Sequence, residues 1–193
     1  MKKVAIYSDG GCDPNPGPGG WAVILHYGKH RRELSGFALA TTNNRMELRA
    51  AIEGLSALKE PCQVSLYTDS EYLKNGITAW VSAWKRNGWK AKDKKPVKNV
   101  DLWKRLDELA QKHHVAWHWV RGHSGHAQNE RCDQLATAAI QTARRTHSRE
   151  QLTRALIAFR EQQDADDDPL LMQPALWKTG DATRTQPGRV ARK

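Results

Sequence analysis

The sequence predicts an α/β layer structure built on a mixed β-sheet. Three observations carry this. Strand-like segments joined by turns crowd the first 40 residues, the pattern of an antiparallel meander. From residue 44 onward, helical and strand patterns alternate. Apolar residues make up 39% of the 193, enough for a substantial core in one domain with an appendage.

The elements follow in order. Residues 3–8 alternate with β-type side chains and end at Asp9-Gly10-Gly11, read as a turn. Pro14-Asn15-Pro16-Gly17-Pro18-Gly19-Gly20 reads as a rigid extended loop. Residues 21–27 and 33–40 are two further strands. A helix then starts at Asn44 as its cap, with Leu48, Ala51, Ile52, Leu55 and Leu58 as the buried stripe. Residues 63–67 form a short strand ending at Thr68-Asp69-Ser70. A helix from about Glu71, a basic segment, a helix over 100–112 and a last strand over 115–120 follow. A loop rich in Gly and His spans 121–128. The final helix of the body starts near Asn129 and turns Cys132, Leu135, Ala136, Ala139 and Ile140 inward.

Four carboxylates stand in distinctive local sequences: Asp9 in Tyr7-Ser8-Asp9-Gly10-Gly11, Glu47 in Thr42-Asn43-Asn44-Arg45-Met46-Glu47, Asp69 in Tyr67-Thr68-Asp69-Ser70, and Asp133 in Asn129-Glu130-Arg131-Cys132-Asp133. Three have an ordinary structural role open to them. Asp9-Gly10 suits a turn, Glu47 the return arm of a capping box with Asn44, and Asp69 an N-cap. Asp133 has no basic partner at i±3 or i±4. All four nonetheless fall at element ends or first turns, where a fold can bring them together. Clustered carboxylates repel, and hard divalent cations with oxygen ligands neutralise them. Two such ions are a recurrent device for cleaving phosphodiesters. His123, in Arg121-Gly122-His123-Ser124-Gly125-His126, is placed to shuttle a proton. His126 lies beside it, and spacing does not choose between the two.

The net charge of +10 points to a polyanionic partner, with nucleic acid the first candidate. The charge is concentrated. Residues 85–98 hold seven basic side chains (Lys85, Arg86, Lys90, Lys92, Lys94, Lys95, Lys98) and one acidic, +6, whereas all of residues 1–143 total +7. Trp80, Trp84, Trp89 and Trp103 accompany them, and such a mixture tracks a nucleic-acid backbone and stacks on sugars or bases. Cys12, Cys62 and Cys132 are widely spaced, the pattern of reduced thiols in a cytoplasmic protein. The run after Lys2 and Lys3 reads as too short and too polar for a signal peptide, and no apolar run is long enough to cross a membrane.

Taken together, these segments closely resemble bacterial type 1 ribonuclease H. The resemblance is carried by Asp9-Gly10 with Asn15-Pro16-Gly17-Pro18-Gly19-Gly20, by Thr41-Thr42-Asn43-Asn44-Arg45-Met46-Glu47, by Thr68-Asp69-Ser70, by Trp84 to Trp89 with the run from Lys94 to Trp103, and by Gly122-His123 through Asp133. It covers residues 1–143. It implies a ribonuclease H-like fold, a five-stranded mixed sheet flanked by helices. It also implies hydrolysis of the RNA strand of an RNA–DNA hybrid, leaving 5′-phosphate and 3′-hydroxyl ends, in the removal of RNA primers and R-loops. Asp9, Glu47, Asp69 and Asp133 would hold two Mg²⁺, with Mn²⁺ as a substitute, and His123 would be the auxiliary histidine. Residues 80–99 would be a basic protrusion gripping the DNA strand. Thr42 and Asn99 would hold a DNA phosphate, Asn43, Trp80 and Trp84 would touch the same strand, and Cys12 and Asn15 would face the RNA. A monomer is expected.

Three features depart from the resemblance: Ala40 where relatives carry an Arg beside the phosphate pocket, Glu71 where Gln is common, and the last 50 residues. Removing an Arg that holds a phosphate costs on the order of 1.5–3 kcal/mol. Residues 144–163 are expected to form an extension with a short amphipathic helix (149–162) opened by a capping box at Ser148 and Gln151. Its stripe of Leu152, Leu156 and Phe159 either packs on the body or docks on another protein. Residues 164–193 are expected to be a disordered tail. Two competing readings are a hybrid-binding module without catalysis and an integrase-like relative that cuts duplex DNA.

Overall fold

Five strands form a single sheet in the order β3-β2-β1-β4-β5 in the computed structural model, which describes residues 1–122 and 125–166, with side chains through residue 164. The elements are β1 (Lys2–Cys12), β2 (Gly17–Tyr27), β3 (His30–Thr41), α1 (Asn43–Ser56), β4 (Cys62–Thr68), α2 (Glu71–Asn75), a π-helical turn (Gly76–Trp80), α3 (Val81–Arg86), α4 (Val100–Gln111), β5 (His114–Trp119), α5 (Ala127–Thr146) and α6 (Arg149–Asp166). The meander β1-β2-β3 is antiparallel. β4 and β5 extend it in parallel with β1, so the sheet is mixed as predicted.

Strand alternation assigns the two faces. Val4, Ile6, Val23, Leu25, Val64 and Leu66 meet Leu48, Ala51, Ile52 and Leu55 of α1 and Leu102, Trp103 and Leu106 of α4 in the main core. On the other face Ala22 and Ile24 meet Cys132 and Ala136 of α5. Full burial of each large apolar side chain contributes roughly 1.5–3 kcal/mol, and these faces pin the register. Helices thus cover both sides of the sheet, and the C-terminal ends of the parallel strands β1, β4 and β5 share one edge.

Several local expectations are corrected. Asp9-Gly10-Gly11 is not a turn: β1 runs through it to Cys12, and Asp9 pairs with Ala22. The predicted loop over residues 14–20 is confined to its first part, since β2 starts at Gly17, and Gly17, Gly19 and Gly20 pair with β3. Sheet pairing overrides the weak strand propensity of glycine there. The cap of α1 is Thr42, whose Oγ1 accepts from the Arg45 N–H at 3.4 Å, rather than Asn44. The cap of α2 is Ser70, whose Oγ accepts from the Leu73 N–H at 3.2 Å, rather than Asp69. The helix expected from Glu71 is broken by a π-helical turn.

The capping box at Ser148 holds. The Ser148 N–H donates to Gln151 Oε1 at 2.7 Å and the Gln151 N–H to Ser148 Oγ at 3.2 Å. α6 then continues to Asp166, past the predicted boundary at 163, and packs against β3 and β2 with Leu152, Leu156 and Phe159 half-buried. Residues 167–193, most of the predicted tail, lie outside the described residues. No helix among the described residues is long and apolar enough to cross a membrane.

Candidate active site and nucleic-acid interface

Three of the four acids converge at the C-terminal edge of the central strands, where open α/β sheets bind ligands. Asp9 projects from β1, Asp69 follows β4, and Glu47 comes from the second turn of α1. One carboxylate oxygen from each lies within 4.8 Å of the others. None fills the structural role the sequence offered it. The extension of β1 removes the turn at Asp9, and the caps at Thr42 and Ser70 release Glu47 and Asp69.

The approach of α1 to β1 needs Gly10 to lack a side chain. A Cβ at Gly10 would lie 2.6 Å from the Glu47 backbone nitrogen and would also collide with the carbonyl of Met46. Gly122 is equally close to the second acid, since a Cβ there would stand 2.8 Å from Asp69 Oδ2.

Hydrogen bonds orient two of the carboxylates. Asp9 Oδ1 accepts from the Gly10 N–H at 2.8 Å. Asp69 Oδ2 accepts from Asn129 Nδ2 at 3.1 Å, and Trp119 Nε1 donates to the Asp69 carbonyl at 3.0 Å. Glu47 differs: its Oε2 is buried and has no hydrogen-bond partner. Burial, and then the charges of Asp9 and Asp69, push its carboxyl well above the ordinary carboxylate range, and only the Gly10 N–H opposes this. A buried, unsatisfied carboxylate oxygen facing two other acids is costly unless a cation joins them. Three hard oxygen donors of this kind fit Mg²⁺ or Mn²⁺.

Asp133 lies outside the three-membered group. It sits half-buried on α5, one turn beyond Asn129. His123 lies outside the described residues. Sequence reasoning missed Asn129, which is 97% buried and grips Asp69, with its own Oδ1 unpartnered. Its position four residues before Asp133, on the same helical face, was the available signal.

Most of the residues predicted to touch nucleic acid fall in two groups. Cys12, Asn15 and Asn43 form a small network: the Cys12 N–H donates to Asn43 Oδ1 at 2.7 Å, and the Asn43 N–H and the Cys12 thiol both donate to Asn15 Oδ1, at 3.4 and 3.3 Å. The second group is the basic protrusion. Its loop is closed by the Lys90–Pro96 bridge, by the Val97 N–H donating to the Trp89 carbonyl at 2.9 Å, and by burial of Val97. Lys94, Lys95 and Lys98 project from it into solvent, and Arg86 is exposed at the end of α3. Lys85 instead pairs with Asp107 at 2.7 Å. Trp80 is exposed, while Trp84 is half-buried between Trp80 and Trp103. Asn99 is buried in the left-handed region at φ 60°, held by Arg45 and Tyr72.

Comparison with known proteins agrees with this geometry. The RNase H family model matches residues 1–141. A ribonuclease H of Erythrobacter litoralis is 63% identical over 139 residues, which are 72% of this chain and 96% of that protein. A ribonuclease H of Rhodopseudomonas palustris (strain BisB5) is 60% identical over 149 residues, 77% of this chain and 99% of that protein. Among solved structures, LC9-RNase H1, a type 1 RNase H with the type 2 active-site motif, superposes with a TM-score of 0.68 at 37% identity over 74% of each chain. LC11-RNase H1, solved in complex with an RNA/DNA hybrid, shares the fold at a TM-score of 0.56 and 23% identity, over 72% of this chain and 98% of that one.

Proposed function

The chain belongs to the ribonuclease H family of metal-dependent hydrolases that cut the RNA strand of RNA–DNA hybrids, and on that premise we propose that Asp9, Glu47 and Asp69, joined by Asp133, hold two Mg²⁺, with Mn²⁺ as a substitute. The observation that carries this reading is the buried, unpartnered Glu47 oxygen among two other carboxylates. Held by these carboxylates, divalent cations would supply activation of an attacking water and stabilisation of the departing 3′ oxygen, a cleavage that leaves 5′-phosphate and 3′-hydroxyl ends.

The chain's own groups supply the rest. Asn129 and the Gly10 N–H keep Asp69 and Asp9 in fixed orientations, so the ligand set is organised before substrate arrives. His123, between β5 and α5 in sequence, is assigned the transfer of a proton near the leaving group. On one flank Cys12, Asn15 and Asn43 lie at the substrate groove. Cys12 and Asn15 take the RNA side, where the 2′-hydroxyl distinguishes RNA from DNA, and Asn43 the DNA side. On the other flank Trp80, Trp84, Lys85, Arg86, Lys94, Lys95 and Lys98 track the DNA strand, while Thr42 and Asn99 hold one of its phosphates. Residues 1–143 form the catalytic domain, and 144–166 are an appendage on the edge of its sheet. A cytoplasmic monomer acting on primers and R-loops is the corresponding cellular reading.

Asp69→Asn tests the assignment. Mg²⁺-dependent cleavage of a labelled hybrid is expected to vanish while hybrid binding is kept, and unchanged cleavage would remove Asp69 from the site. Running a DNA–DNA duplex beside the hybrid separates this activity from that of an integrase-like enzyme.

A further inference from the structure

We propose that Arg45 is a positioning residue that fixes Asn99 as a hydrogen-bond donor toward a backbone phosphate of the DNA strand. This rests on the assignment of Thr42 and Asn99 to a DNA phosphate, and adds the device that sets their polarity.

Arg45 touches both residues. Its backbone N–H donates to Thr42 Oγ1 at 3.4 Å, and its Nη1 donates to Asn99 Oδ1 at 3.3 Å. The guanidinium is held in place by Asp101, through Nη1 to Oδ1 at 3.0 Å and Nη2 to Oδ2 at 2.7 Å, the bidentate geometry that gives such pairs their directionality.

An asparagine amide has a donor end and an acceptor end of nearly equal shape, so its neighbours decide which end faces where. Guanidinium offers only donors, so the end of Asn99 that meets Arg45 is the oxygen. The nitrogen is thereby turned the other way, where Nδ2 donates one hydrogen to Tyr72 Oη at 3.1 Å. Trp103 Nε1 donates to the same Tyr72 oxygen, also at 3.1 Å, which fixes that partner in turn. Nδ2 carries a second hydrogen, and it is the group left to present. Thr42 is polarised the same way: its oxygen already accepts from Arg45, so its own hydroxyl proton is free to donate.

A phosphate oxygen accepts and never donates. A flipped Asn99 would turn its carbonyl oxygen on the phosphate and replace an attraction with a repulsion. Arg45 is paired with Asp101, which offsets its charge and holds its guanidinium against Asn99. Position 40 holds an alanine and provides no cation. The neutral donors of Thr42 and Asn99 therefore hold this phosphate, and their orientation matters more than it would beside a free cation. Burial and the left-handed backbone hold the Asn99 side chain in this place, so what its neighbours decide is which end of the amide faces which way.

The test uses the full chain and hybrids whose DNA strand carries one neutral methylphosphonate, moved linkage by linkage. KM and kcat are measured for the wild type, Asn99→Ala, Arg45→Met, the milder Arg45→Gln and the conservative Arg45→Lys. For the wild type, one linkage should raise KM on the order of 10-fold when neutralised, the effect of losing a hydrogen bond to a charged group. Asn99→Ala should lose sensitivity at that linkage alone. Arg45→Met and Arg45→Gln should match it, with KM raised on the order of 10-fold on the all-phosphate hybrid, kcat within about 2-fold of wild type, and no further penalty from the methylphosphonate. Arg45→Lys, which also offers only donors, should restore the sensitivity. If both Arg45→Met and Arg45→Gln keep wild-type sensitivity at the linkage that Asn99→Ala no longer senses, Arg45 does not orient the amide and the inference is overturned. If Asn99→Ala stays sensitive at every linkage, the assignment of Asn99 to a phosphate fails instead, and the inference with it.

Discussion

Glu47→Gln should make the metal-free protein more stable while removing its activity. The two side chains have nearly the same shape, so the difference isolates one charge. In the wild type that charge is buried, its Oε2 has no partner, and the oxygens of Asp9 and Asp69 lie within 4.8 Å. At that distance each neighbour repels by about 1 kcal/mol even with full water screening, and more at the lower dielectric of a partly buried site. The two neighbours therefore set a floor of about 2 kcal/mol. Linkage sets a ceiling. The folded protein can relieve the repulsion by keeping a proton on Glu47, and between the ordinary value of 4.5 and pH 7 that limits the cost to about 3.4 kcal/mol. The expected gain in EDTA at pH 7 is thus about 2–3.4 kcal/mol, or roughly 5–10 °C in the unfolding midpoint for a chain of this size. The sign with pH follows from a carboxyl raised in the folded state. The folded protein binds more protons than the unfolded chain above the ordinary value, so wild-type stability falls as pH rises from about 4.5, and the advantage of the variant vanishes below it. Divalent metal should stabilise the wild type more than the variant. Thermal unfolding followed by circular dichroism from pH 4 to 8, with EDTA and with Mg²⁺, measures all of this. Equal midpoints in EDTA at pH 7, or an advantage that persists unchanged at pH 4, would refute the clustered-charge argument.

Other perturbations probe the surrounding structure. Gly10→Ala places a Cβ 2.6 Å from the Glu47 nitrogen, so α1 must shift. Activity should fall on the order of 100-fold, the typical cost of an ångström-scale displacement of a catalytic group, and wild-type kcat would show that the close approach is dispensable. Replacing Lys94, Lys95 and Lys98 together by Ala should flatten the dependence of log affinity on log salt by about 0.9 for each phosphate no longer neutralised; an unchanged slope would mean the protrusion does not touch the backbone. Deleting residues 148–193 removes Leu152, Leu156 and Phe159 from β3, where each is half-buried. At about 1 kcal/mol apiece the midpoint should drop by roughly 5–10 °C, and an unmoved midpoint would show that α6 does not stabilise the body.

The layer order of the fold was legible because it depends on periodicity, which is a local property. The apolar stripe of α1 and the strand at 63–67 could be read from a few residues each. The errors share a cause. Asp9-Gly10-Gly11 and Gly17-Pro18-Gly19-Gly20 have turn composition, yet both lie in strands, because the pairing of Gly11 with Gly20 and of Gly17 with Thr41 is a tertiary fact that overrides local propensity. The breadth of β1 and β2 could not be read from either segment alone. The same holds for the partners that complete the site. Arg45 and Asp101, and Asn129 and Asp69, are 56 and 60 residues apart in sequence, and no local pattern pairs them.

The site itself was legible for a different reason. Asp9, Glu47 and Asp69 considered alone each had an adequate local explanation, and it was the fold that withdrew those explanations one by one. Thr42 and Ser70 take the capping roles, and β1 continues where a turn was expected, so Asp9, Glu47 and Asp69 are left with no structural task. A fold that spends neutral hydroxyls on its helix caps while burying a carboxylate oxygen without a partner has separated the two uses of polar groups. Stability alone does not favour that arrangement, since an isosteric amide at position 47 would carry less repulsion. On the proposed reading the charge is answered from outside the chain, and the same unsatisfied oxygen that costs the protein stability would give the site its affinity for a divalent cation.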